Sequence, residues 1–123
     1  MEITTIQKYI HTSPRKLRLV ADMARKMQPM KAITILKFTS QYAASDLTKA
    51  IQTALANAKI HGLAQDSTHF KSIEINEGPK MRRYRPASKG RALPFKRKMA
   101  HIKIILTDEV ENVDKESKRK EKK

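Results

Sequence analysis

The sequence predicts an α+β fold, in which a small three-stranded antiparallel sheet packs with three helices and a long β-hairpin arm protrudes. Three observations predict it. Runs rich in β-branched residues lie near both ends of the chain and read as strands. Between them, from Ser13 to Gly62, apolar residues recur at helical spacing. A basic stretch from Gly78 to Lys98 then separates the last two strand-like runs. A length of 123 residues suits one domain. We expect it to span residues 1–110, with the arm at 78–98 and a disordered charged tail at 111–123.

Taken in order, Ile3 to Ile10 is the first strand, with Ile6, Lys8 and Ile10 expected on one face. Ser13-Pro14 starts a helix, because Ser caps free backbone N–H groups and Pro needs no donor at the first helical position. Leu17, Val20, Ala21 and Ala24 form its apolar face, while Arg15, Arg18 and Arg25 lie elsewhere with Asp22 among them. That helix should stop near Gln28, since the residue before a proline is pushed out of helical geometry. Met30 to Phe38 reads as a short second helix, with Ile33 and Leu36 three apart. From Tyr42 to about His61, a stripe through Ala43, Leu47, Ala50, Ile51, Ala54 and Ala58 gives a third helix, stopped at Gly62. The alanines allow close approach, so this helix is expected to lie against the sheet. Ile73 and Ile75 mark one further strand, and Ile102, Ile104 and Leu106 another.

Charge narrows the function. Lys and Arg number 27 against 12 Asp and Glu, a formal net charge of +15. Such a charge repels itself, and a polyanion relieves the repulsion. The chain has no Trp and 5% aromatic residues, a poor basis for membrane binding. No apolar run reaches the ~18 residues of a membrane-spanning helix. The absence of Cys excludes disulfides, thiolate zinc sites and Cys nucleophiles, and fits a reducing compartment.

The charge is concentrated in the arm. Lys80, Arg82, Arg83, Arg85, Lys89, Arg91, Lys96, Arg97 and Lys98 lie there, and no acid occurs from Gly78 through Thr107. The stretch has no useful periodicity and too little apolar surface to order itself, so an outside partner is expected to order it. Arg forks match phosphate oxygens, and Lys supplies point charge. Tyr84 and Phe95 suit stacking on unpaired bases, which RNA loops offer and duplex DNA does not. Pro79, Pro86 and Pro94 stiffen the chain, while Gly78 and Gly90 permit turns or close backbone approach.

At these residues a family resemblance emerges. Ser13-Pro14-Arg15-Lys16-Leu17-Arg18, Ala56-Asn57-Ala58, Glu77-Gly78-Pro79, Lys89-Gly90-Arg91-Ala92 and His101-Ile102 occur in order and with compatible spacing. Over about residues 3 to 108 the chain resembles the family of large-subunit ribosomal protein twenty-two, in its bacterial or organellar form. The resemblance implies a structural constituent of the large ribosomal subunit, in the ribosome of a cytoplasm or an organelle. Such a protein binds large-subunit ribosomal RNA, helps its assembly and lines the nascent-peptide exit tunnel with its hairpin. The implied partners are that RNA, neighbouring ribosomal proteins and the nascent polypeptide, with no membrane and a monomeric free state. The RNA-binding residues so implied are Arg15, Lys16 and Arg18 on the first helix. On the arm they are Lys80, Arg82, Arg83, Tyr84 and Arg85, then Lys89, Gly90 and Arg91 at the tip. Lys96, Arg97, Lys98 and His101 follow on the return strand. Leu93-Pro94-Phe95 stands where the family has a more polar stretch, Ala87 where many members have Arg, and Met99-Ala100 replaces Thr-Ser.

Other signals are structural. His11, His61, His69 and His101 lack metal-ligand spacing, Ser13 reads as a cap, and Glu77 as an ion-pair partner for the arm's base. Neither an acid/base constellation nor a phosphate-cradling glycine loop occurs, so no enzyme, cofactor or metal is expected. The alternative from another class is an architectural DNA-binding protein with a basic β-arm, using Leu93 or Pro94 as a minor-groove wedge.

Overall fold

The computed structural model describes residues 1–109. The predicted tail, 111–123, lies outside the described residues. Strand β1 (Glu2–Ile10) leads into helices α1 (Pro14–Ala24), α2 (Pro29–Phe38) and α3 (Tyr42–Ile60). Strands β2 (His69–Pro86) and β3 (Ala92–Thr107) follow among the described residues. All pairing is antiparallel, in the order β1-β3-β2. This is the expected α+β architecture.

The helices cover one face of the sheet. Along β3, Ile102, Ile104 and Leu106 point into the core, and Ile73 and Ile75 do so from β2. Leu17, Val20, Ala21 and Ala24 of α1 are buried, as is the predicted stripe of α3. Small side chains on α3 let its backbone come close to β1 and β3, and Asn57 donates to Thr5 Oγ1 at 3.1 Å across that contact. The Asn of Ala56-Asn57-Ala58 thereby fastens α3 to β1. At the other end of α3, Thr12 Oγ1 donates to Asp46 at 2.5 Å and ties the β1–α1 turn down.

The caps follow sequence logic. Ser13 Oγ accepts from the Lys16 N–H at 3.5 Å, ahead of Pro14 at the first helical position. Gly62 has φ +85°, the left-handed geometry in which Gly is favoured. The Gly62 N–H donates to Lys59 and that of Leu63 to Ala58, which satisfies the last carbonyls of α3.

Two expectations need correction. Helix α1 ends at Ala24, not near Gln28, because Gln28 is extended ahead of Pro29 and the chain needs a turn to reach it. On β1, Ile3 and Thr5 face the core, whereas Ile6 is 51% exposed. Ile10 does not share its face. Gln7 pairs with Ile102 and Ile10 with Ala100, so β1 carries an extra residue there. Tyr9 takes φ +59° within this bulge, and Ile10 turns inward against the core.

Candidate nucleic-acid interface

Beyond Ala100 the sheet narrows to two strands. β1 has ended, and β2 and β3 continue as a ribbon, pairing Lys80↔Lys98 through Pro86↔Ala92. The basic stretch is paired strand by strand, although its sequence has no periodicity. A ribbon that buries neither face needs no side-chain alternation, because backbone ladder bonds form with any L-residue other than proline. Prolines suit strands with an open edge, and Pro94 sits on one. At the tip, Lys89 (φ 59°) and Gly90 (φ 69°) are both left-handed and Arg91 N–H bonds back to Ser88. That is the pattern of a hairpin turn whose twist matches its strands.

Cross-strand partners share a face, so the register sorts the arm's side chains. One face carries Lys80 opposite Lys98 and Arg82 opposite Lys96, then Tyr84 opposite Pro94. The other places Met81 opposite Arg97, Arg83 opposite Phe95 and Arg85 opposite Leu93. Like charges directly opposite one another destabilise a ladder. Among the described residues, Glu77 forms no ion pair, so the expected salt bridge at the arm's base is not present. The arm's cations are thus unmatched by any acid within it. Tyr84 is 67% exposed and free to stack. Phe95 is half-buried, and the Arg85 guanidinium lies 4.6 Å from its ring centre, which occupies one π face.

The structure joins α1 to the arm's root. Arg15 and Arg18 share one cleft, of about 420 Å³, with Lys80 and Lys98. Lys16 lines a second cleft, of about 940 Å³, with Lys96, Arg97 and Lys98. The first turn of α1 is wedged between the two, so cations that are remote in sequence form one surface. Lys89, Gly90 and Arg91 lie apart from it at the tip.

Two of the predicted contact residues, Arg18 and His101, carry structural duties as well. Arg18 donates to the Ile75 carbonyl at 3.2 Å, and Arg25 donates through Nε to that of Ile73 at 3.1 Å. These carbonyls lie on β2, the edge strand of the sheet, where a row of backbone groups would otherwise be open. His101 faces away from the core, and its Nδ1 accepts the Tyr9 N–H at 3.1 Å. In the neutral ring the proton therefore sits on Nε2, leaving that nitrogen as the available donor. The Tyr9 ring meets the imidazole edge-on, with centroids 5.2 Å apart. The sequence carried no signal for this pairing, because it depends on the bulge.

A helix-backed sheet extended by a cationic two-stranded arm defines a body-and-arm protein whose positive charge gathers on the arm and at its root. Comparison with known proteins gives the family. Residues 5–107 match the model of ribosomal protein L22p/L17e. The chain is 38% identical over 111 residues to the large ribosomal subunit protein uL22 of Myxococcus xanthus, covering 88% of this chain and 97% of that one. It is 39% identical to the protein of the same name from Solibacter usitatus, over 88% and 97% of the two chains. With the one from Desulfotalea psychrophila it is 41% identical, over 88% and 99%. The chain belongs to the ribosomal protein L22p/L17e family, whose members are structural ribosomal components and not enzymes. The architectural DNA-binding alternative gives way to that family.

Proposed function

We propose that the chain is a structural constituent of the large ribosomal subunit, acting in the cytoplasm within the ribosome. It binds large-subunit ribosomal RNA through the arm and the first turn of α1, and helps that RNA to assemble. The arm reaches inward along the nascent-peptide exit tunnel, so its partners are the RNA, neighbouring ribosomal proteins and the growing polypeptide. Free of the ribosome, the chain is a monomer.

One observation supports the RNA reading above the others. The arm, which has no acid from Gly78 to Lys98, sets Lys80 against Lys98 and Arg82 against Lys96, beside Arg15, Lys16 and Arg18, with Glu77 the one acid lining the two clefts. A free protein gains nothing from that arrangement, whereas phosphates convert the repulsion into binding. The proposed contacts are those residues together with Arg83, Tyr84 and Arg85, the tip residues Lys89, Gly90 and Arg91, Arg97, and His101 through Nε2.

The test is binding to purified large-subunit ribosomal RNA across a salt series, with and without residues 80–97. The intact chain should bind this RNA far better than duplex DNA. Deleting the arm should flatten the log–log salt slope by about 0.7–0.9 for each phosphate that the arm had neutralised. Equal binding to duplex DNA, or an unchanged slope, would sink the reading.

A further inference from the structure

We infer that the larger cleft receives one unpaired nucleotide of an RNA strand, its base on the Tyr42 ring and its phosphates among Lys16, Lys96 and Lys98. The inference rests on the RNA-binding reading above and adds a site that arm and helix charge alone would not specify.

The cleft lies where the arm meets the body. Its volume of about 940 Å³ compares with roughly 300–1,000 Å³ for clefts that enclose small ligands. Lys16 closes one side and Lys96, Arg97 and Lys98 the other, and no carboxylate lines it. Leu19 and Tyr42 supply the apolar wall, 64% and 76% exposed. An uncovered aromatic face beside four cations matches the two halves of a nucleotide, a flat base and an anionic phosphate. Bases inside a duplex are stacked and cannot reach such a ring, whereas unpaired RNA bases can. Directly across the ribbon from Lys98 and Lys96 stand two further cations outside the cleft, Lys80 and Arg82. A free mononucleotide would leave them unused, so the ligand is a strand.

Tyr42 is the first residue of α3 and points away from the core, so replacing it leaves the body intact. The full-length chain is titrated with a fluorescently labelled adenosine oligoribonucleotide of about seven residues, within the usual size of single-strand sites. An abasic phosphodiester oligomer of the same length and adenosine monophosphate serve as comparators. Tyr42→Ala should weaken the adenosine oligomer about tenfold, as loss of one stacked base does. It should leave the abasic oligomer unchanged, and Tyr42→Phe should restore the loss. A Lys96→Gln, Lys98→Gln double variant should weaken both oligomers. Suppose instead that Tyr42→Ala changes nothing while the lysine variant still weakens binding to ribosomal RNA. The nucleotide site is then refuted and the RNA-binding reading survives. Monophosphate binding as tight as the oligomer refutes the strand. Failure of the unaltered chain to prefer ribosomal RNA over duplex DNA removes the reading beneath.

Discussion

Gly78 shows what a single residue decides. It sits where β2 and β3 leave the body, between the pairs Glu77↔Ala100 and Lys80↔Lys98. A Cβ there would lie 3.1 Å from the Met99 backbone carbon and oxygen and 3.3 Å from His101 Cε1. Met99 is held by ladder pairs on either side, so its backbone yields little. The Gly78→Ala change gains about 0.4–1 kcal/mol from a less flexible unfolded chain, but crowding of this kind costs about 1–3 kcal/mol. We expect a net loss of about 1 kcal/mol, read as a lower urea midpoint with an unchanged slope. A midpoint at or above that of the unaltered chain would show that Met99 moves freely. The residue type left a turn or a close backbone approach open, and the structure shows the approach. Its target, and the neighbouring contact between His101 and Tyr9, were not legible in the sequence, because both arise across strands distant in sequence.

At the scale of the element, the arm sets stability against binding. A two-stranded ribbon without a packed face is marginal in water. Its like-charged pairs weaken it further, so arm amides should exchange faster than those of Ile102 to Leu106. Lys98→Glu places an acid opposite Lys80, a pairing that adds about 0.2–1 kcal/mol when the charges are opposite. Hydrogen exchange should then slow along Lys80–Pro86 while affinity for ribosomal RNA falls. Slower exchange with undiminished affinity would mean that this position does not meet phosphate. The helices were the more legible elements. Ser13-Pro14, the alanine stripe and Gly62 act locally, and local signals survive tertiary context. The inward turn of Ile10 did not show in the sequence, since a one-residue bulge reverses every face downstream of it.

For the molecule as a whole, a charge of +15 sits on a fold whose core comes from the helices and the body of the sheet. No residue from Lys80 to Lys98 joins that core, so the arm's share of the charge stands apart from it. Where the arm leaves the body, Arg15 and Arg18 of α1 still face Lys80 and Lys98, so screening should stabilise the fold at that root. Raising sodium chloride from about 0.05 to 0.5 M shortens the range of charge repulsion to a few Å. Each kcal/mol so relieved is worth about 4–8 °C in melting temperature for a domain of this size. A clear rise is expected by calorimetry, and a flat profile would mean that the cations are already far enough apart.

The sequence by itself determined the helices and their caps, the sheet's apolar strands, the position of the basic arm and the kind of partner its charge requires. Those features depend on spacing, residue type and composition, all of which are local. Tertiary structure decided the rest. It set the register of the arm's two strands and brought Arg15, Lys16 and Arg18 against Lys80 and Lys96 to Lys98. It also engaged Arg18 and Arg25 on the β2 edge and left Tyr42 uncovered beside a cationic cleft. Such relations join residues tens of positions apart, and only the packing of α1 and α3 against the sheet fixes their distance.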